Sequence, residues 1–167
     1  MPISLHAAFV PSCRQIIGGC LNILAKAEAA GIDTLADARL APDMFPLPFQ
    51  VKQVAMHSAG AIAGVRVGTF SPGGAPLDPD YASFTAALQA ADAELAAVTE
   101  AEMEGFIGCT TVFAFGERKL PFKSEDFLLS FSQPNFYFHA SMMYAILRNQ
   151  GLALGKMDYM GRPRLAL

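Results

Sequence analysis

Hydrophobic residues recur at intervals of three and four over most of this chain, which is the period of an amphipathic α-helix. The first stripe predicts a helix that begins at Ser4 or Pro11 and runs to Ala30, closing on Gly31. Pro11 leaves the start open, because proline can be the first residue of a helix or can kink a longer one. The stripe consists of Phe9, Cys13, Ile16, Ile17, Cys20 and Leu24.

The next part of the chain combines prolines with large apolar residues. A short helical turn is expected at residues 33–38, and a connector follows at 40–48. The connector is too apolar for a free loop, so we expect it to pack against the helices. A second helix is predicted at about 49–64, before a loop rich in glycine and proline at 68–80.

A third helix has the most regular stripe. Asp78-Pro79 is expected to supply its cap and first position. Thr99 and Glu102 then have the spacing of a capping box, which predicts a brief extra turn that ends near Gly105. The stripe itself is formed by Tyr81, Phe84, Leu88, Ala91, Leu95 and Val98.

Residues 110–122 have a different pattern, which predicts a β-hairpin around Gly116. Ser124 is expected to cap a fourth long helix, and Pro134 to kink it, because proline removes a backbone donor. Four long helices, one hairpin and no internal repeat predict an all-α protein, a four-helix bundle with one long crossover and a small β-hairpin insertion before the last helix. We expect residues 1–167 to form a single domain.

Composition and charge narrow the class of partner. The chain has 167 residues, of which 53% are hydrophobic and 16% charged, and this suits a compact protein with a sizeable core. The net charge is −3 and no block of lysine or arginine is present, so we expect neither a nucleic acid nor a membrane partner. An odd number of cysteines and the lack of a signal-peptide pattern predict a cytoplasmic protein with reduced thiols.

Two histidines fall on apolar stripes of different helices, His57 on the second and His139 on the fourth, and Asn135 shares the face of His139. Neutral imidazole binds zinc or nickel, and bundle cores commonly hold metal sites. Zinc usually has at least three protein ligands, so the third would have to be Asn135, Gln53 or His6. The alternative interpretation is a hydrogen-bonded pair of core histidines.

These residues also resemble a known group. Asn135-x-x-x-His139, followed by Leu-Arg-Asn-Gln-Gly at 147–151, is similar to the last helix of the DinB-like superfamily, which carries His-x-x-x-His and then Leu-Arg-x-x-Gly. His57 corresponds to the histidine of that superfamily's second helix. An uncharacterised bacterial branch, catalogued as a domain of unknown function, is more closely similar in the runs at 40–47, 53–57, 134–139 and 155–159.

The resemblance implies a DinB-like bundle, and it suggests the metal-dependent thiol transfer known in that superfamily. Asn135 replaces the first histidine of the pair, so the implied ligands are His57, His139 and, weakly, Asn135. We expect a divalent transition metal, zinc or nickel, to be weakly bound or absent. The remaining residues expected to line the pocket are Gln53, Met56, Phe138, Met142 and Met143.

Two functions remain open at this point, and with them whether the protein is an enzyme. One is metal-assisted transfer, of the thiol transferase type, or hydrolysis on a small substrate. The alternative is a non-catalytic bundle with a degenerate metal site that binds a small ligand or dimerises. Apolar surface at 44–49 and 113–122 additionally predicts a homodimer.

Overall fold

The longest element of the structure, a computed structural model that describes residues 3–166, is helix α1, Leu5–Ala29. Its N-cap is Ser4, whose hydroxyl accepts a hydrogen bond of 3.2 Å from the amide of Ala7. Pro11 therefore lies inside the helix, as in the earlier of the two predicted starts. By length and composition alone α1 could cross a membrane, but half of its apolar window is buried in the protein, as in a core helix.

The predicted second helix is in fact two helices, α2, Leu47–Met56, and α3, Ala59–Val67. The break falls at His57 and Ser58. The Ser58 hydroxyl donates a 2.7 Å hydrogen bond to the carbonyl of Val54. A serine that bonds locally in this way competes with the helical ladder, and Ser58 itself leaves the helical conformation, with φ −113° and ψ −93°. His57 consequently sits at the end of α2 rather than in the middle of a longer helix.

Helices α4, Tyr81–Ala97, and α5, Glu100–Gly105, follow the pattern of the sequence closely. The cap of α4 is Asp80, which accepts a 2.6 Å hydrogen bond from the amide of Ser83, so the predicted cap at Asp78 was two residues early. Thr99 caps α5 through the amide of Glu102, as predicted. Residues 33–38 contain the expected single turn of helix, in which the amide of Ala38 donates a 3.2 Å hydrogen bond to the carbonyl of Thr34.

The strands form one small sheet beside the helices, made of β1, Thr69–Phe70, β2, Thr110–Phe115, and β3, Arg118–Lys123. Strands β2 and β3 pair antiparallel, so the predicted hairpin is confirmed, and Gly116 opens its turn with a φ of 58°. Strand β1 pairs parallel with β2 and was not predicted, since two residues are too short to show an alternation.

The last long helix contains a π-helical insertion. It begins with α6, Ser124–Asp126, continues as the π segment, Phe127–Ser132, and becomes α7, Gln133–Asn149. Ser124 is the first helical residue and not the cap, because its hydroxyl is 2.8 Å from that of Thr111 on β2. The wider turn of the π segment ends at Ser132, two residues before Pro134, where the sequence predicts a kink. A short helix α8, Lys156–Met160, follows.

The core lies among α1, α2, α4 and α7. Helix α1 contacts α4 and α7, and α2 contacts the same two helices, while α8 packs on the outside of α1. The protein is thus mainly helical, as predicted, whereas the single long crossover, the single domain and the homodimer stay predictions. The largest fully buried side chains are Phe9, Phe70, Phe84, Phe127, Phe136, Ile17 and Ile23.

Adjacent glycines of α1 allow a test of how α8 is held. A β carbon at Gly19 would overlap the backbone carbonyl of Tyr159 in α8, whereas the space outside Gly18 is open. We expect Gly19→Ala to destabilise the fold by about 1–3 kcal/mol through overpacking. Gly18→Ala is the matched control and should be neutral or stabilising by up to about 1 kcal/mol. Urea unfolding followed by circular dichroism measures both, and equal stabilities would contradict the contact between α1 and α8.

Candidate functional site

The two core histidines face each other between α2 and α7. Their ring centroids are 5.8 Å apart and the planes differ by 14°. His57 is 4% exposed, and His139 is partly buried. The sequence-based prediction that these rings lie close together is therefore confirmed.

A glutamine on α2 determines which nitrogen of His139 carries the proton. The Gln50 amide nitrogen donates a 2.9 Å hydrogen bond to the carbonyl of Phe45, so its oxygen is directed the other way. That oxygen, Oε1, lies 2.8 Å from Nδ1 of His139. A carbonyl oxygen only accepts, so Nδ1 must be the protonated nitrogen of the neutral ring. The lone pair of His139 is consequently on Nε2.

His57 is held by the π segment. Its Nδ1 lies 3.1 Å from the hydroxyl of Ser132, the last residue of that segment, and both groups are buried. The His57 ring also packs against the rings of Phe70 and Phe131. The π-helical turn thus carries a polar partner for His57 on one residue and an aromatic wall on its neighbour.

Burial keeps both imidazoles uncharged. Burial, together with the neighbouring His139, lowers the pKa of His57 to about 4. Burial likewise lowers the pKa of His139 to about 4. Both rings are therefore neutral near pH 7, the form that can accept a hydrogen bond or ligate a metal.

Two amide side chains complete the polar wall. Asn135 uses its nitrogen in a 2.7 Å hydrogen bond to the carbonyl of Phe131, one turn earlier, which leaves Oδ1 available. Gln53 is 3% exposed, and its Oε1 has no hydrogen-bond partner within residues 3–166. An unpaired buried acceptor of this kind destabilises a fold by roughly 1–3 kcal/mol, so it requires an explanation.

These polar groups line one cavity of about 300 Å³. His57, His139, Asn135 and Gln53 all contribute to it, as the sequence-based hypothesis requires. The rest of the wall is formed by Phe45, Phe49, Phe113, Phe115, Phe131 and Pro72. The cavity is therefore a small aromatic pocket with acceptor groups at one side.

Four other residues expected at this pocket do not line it. Met143 is fully buried in the core, and Phe138 is 52% exposed, although its ring touches that of His139 edge-on. Met56 and Met142 are partly buried elsewhere. Helical spacing placed them on the same stripe as the histidines. The cavity lies at the N-terminal end of α7, next to the π segment, and the stripe continues from there toward the C-terminal end of the helix.

The metal hypothesis can be tested against the donors. Two imidazoles that share a zinc ion at about 2.1 Å have ring centroids roughly 5 to 6 Å apart, so the spacing of His57 and His139 is suitable. The number of ligands, however, is too small for a zinc site. Residues 3–166 contain no cluster of three histidine, cysteine, aspartate or glutamate side chains that could hold a metal, and His6 instead contacts the carbonyl of Val98 at 3.2 Å. The donor set does not fit a tight metal centre.

Sequence reasoning missed several residues that shape the site. Gln50 and Ser132 orient the two histidines, and the phenylalanines of β2 close the cavity from the hairpin. A signal for Gln50 was present, because Gln50, Gln53 and His57 recur at spacings of three and four on one helical face. No comparable signal marks Ser132, since its position depends on the π-helical turn.

The fold resembles that of a DinB family protein. A crystal structure of a DinB family member protein from Shewanella denitrificans has the same fold, with a TM-score of 0.79 and 23% identity over 98% of this chain and 95% of that chain. Residues 5–160 match the family described as a domain of unknown function, DUF1993. The chain belongs to that family, as the resemblance in its sequence indicates, and no curated protein matches it.

The two lowered histidine pKa values make stability depend on pH. Between pH 4 and about 6.5 the unfolded chain binds more protons than the folded one, so acid destabilises the fold in this range. As the pH is lowered from about 6.5 to 4, the free energy of unfolding should decrease by about 1.4 kcal/mol per pH unit for each histidine. Above about pH 6.5 these two histidines should have no further effect on it. Urea titrations across this range, compared with the double variant H57Q/H139Q, measure the effect. An unchanged slope in the double variant would contradict the assignment.

Proposed function

We propose that the cavity between His57 and His139 binds a small molecule with a hydrogen-bond-donating group, best matched by a primary amine, and an apolar body. The observation that carries this proposal is the Oε1 atom of Gln53, which is buried without a partner among the described residues on a side chain that lines the cavity. A ligand that donates to this oxygen removes the destabilisation that the free protein retains.

The other polar groups favour the same chemistry. His139 presents the lone pair of Nε2, and Asn135 has only its carbonyl oxygen free, so both of these residues offer acceptors to a ligand. The phenylalanine rings around them attract cations through their faces. A carboxylate would face the lone pairs of His139 and Asn135 and would meet no positive charge, because both histidines are neutral. An ammonium or hydroxyl group finds an acceptor at both of these residues.

The substitution Gln53→Leu tests this role with two opposite effects. Removing the unpaired acceptor should raise the free energy of unfolding by about 1–2 kcal/mol. It should also lower the affinity for n-butylamine by about tenfold or more, the usual value of a hydrogen bond to a charged group. Calorimetric titration with n-butylamine and thermal unfolding measure the two quantities.

The matched control is Gln89→Leu on the exposed side of α4, which should change neither quantity. Butyrate serves as the control ligand and should not bind. Equal affinity of the wild type and Gln53→Leu for n-butylamine, or no binding by the wild type, would refute the proposal.

The second candidate is metal-assisted transfer or hydrolysis on a small substrate. The spacing of the two imidazoles favours it, because their centroid separation of 5.8 Å suits a shared ion. Asn135 would offer only an amide oxygen, which is a weak ligand for zinc or nickel. This candidate therefore requires weak metal binding that a third imidazole would strengthen.

We expect Asn135→His to bind zinc or nickel at least tenfold more tightly than the wild type, because three imidazoles complete an open metal site. Calorimetric titration of both proteins at about pH 7.5, where the rings are neutral, provides the comparison. Asn149→His, at the exposed end of α7, controls for a histidine added elsewhere on the same helix. Equal affinities of the wild type and Asn135→His would remove Asn135 from the ligand position.

A further inference from the structure

A second and larger cavity adjoins the histidine pocket. Its volume is about 520 Å³, and it shares Phe45, Phe49 and Pro72 with that pocket. Its remaining apolar wall comes from the connector before α2 and from the loop after β1, and includes Ala36, Pro46, Pro48, Pro76, Leu77 and Pro79. We call this cavity the proline groove. The two cavities are neighbours on either side of the same aromatic side chains.

A stacked pair of aromatic rings lies between the two cavities. Phe45 and Phe49 lie with centroids 4.0 Å apart and planes 16° from parallel. Phe45 is 62% exposed, so this stack forms the rim of both cavities instead of a sealed wall. The rim therefore offers a continuous apolar surface from the histidine pocket to the proline groove.

The proline groove contains one charged group, Lys52. Its ammonium donates a 2.5 Å hydrogen bond to the carbonyl of Gly74, which uses one of its three donors. Within residues 3–166 no carboxylate lies within 4.0 Å of this nitrogen, although five ion pairs form elsewhere. Lys52 is thus a positive charge at an apolar groove without a negative partner in the described part of the chain.

We propose that the histidine pocket and the proline groove form one bipartite site for an elongated amphiphile with an amine at one end and a carboxylate at the other. The amine end rests on the function proposed above and binds at Gln53 and His139. The apolar chain crosses Phe45 and Phe49, and the carboxylate pairs with Lys52. This orientation is favoured over the reverse one, because an ammonium would be repelled by Lys52 and a carboxylate would face the lone pairs of His139 and Asn135.

A series of ω-amino acids tests both ends of the site. We expect the affinity for ω-aminohexanoate, ω-aminooctanoate and ω-aminododecanoate, measured by calorimetric titration, to pass through a maximum at one chain length. At that length the ω-amino acid should bind at least tenfold more tightly than the simple alkylamine with the same number of carbons. The free amine reports only on the histidine pocket, so the ratio isolates the carboxylate end.

Substitutions then separate the two ends. Lys52→Met should lower the affinity for the best ω-amino acid at least tenfold and leave that of the alkylamine unchanged, while Lys52→Arg should restore it. Lys156→Met, on α8, is the matched control. Gln53→Leu should weaken both ligands.

The outcomes distinguish the two proposals. Alkylamine binding without any gain from the carboxylate, or without an effect of Lys52→Met, overturns the bipartite site and leaves the proposed function standing. Absence of alkylamine binding together with absence of ω-amino acid binding overturns both. Carboxylate-dependent binding that ignores Gln53→Leu overturns the amine end and therefore the proposed function.

Discussion

The site depends on one hydrogen-bond chain inside an apolar bundle, from the carbonyl of Phe45 through the amide of Gln50 to Nδ1 of His139. A buried polar group needs a partner, and a buried charge needs more than one. This series of hydrogen bonds meets the need without any charge, because Gln50 donates through its nitrogen to the Phe45 carbonyl and accepts through its oxygen from His139. It also fixes the tautomer of His139 and directs its lone pair outward from Gln50. The electrostatic character of the cavity follows from that single orientation.

The same series of hydrogen bonds links the cavity to residues 40–48, the connector before α2. Phe45 supplies the backbone acceptor that holds Gln50, while its side chain forms the rim shared by the two cavities. A movement of this residue would therefore change both the access to the histidine pocket and the support of His139. Gln53 has the opposite character, since its Oε1 is buried and unpaired in the described structure. The protein is therefore less stable than it would be with an apolar residue of similar size at this position.

The parts of the fold that were predictable from sequence are those with a local signal. Helices α4 and α5 have a regular stripe and a threonine cap, and the hairpin has its glycine turn. The break between α2 and α3 was not predictable in this way, because the apolar stripe continues through His57 and the interruption comes from a side-chain bond of Ser58. The partners of the two histidines likewise depend on tertiary contacts, so the candidate residues could be named before the geometry that gives them a chemical role.

The π segment at 127–132 has a consequence for how such a cavity can diversify. A π-helical turn arises when one residue is accommodated within an α-helix, and each residue rotates an α-helix by about 100°. Deleting one residue there would restore a regular α-helix, so the hairpin before the segment and His139 after it would keep their places. The change would fall on Phe131, which belongs to the aromatic wall, and on Ser132, which holds His57. A single-codon deletion, with no change of side chain at His139, would thus be enough to produce a pocket of different shape.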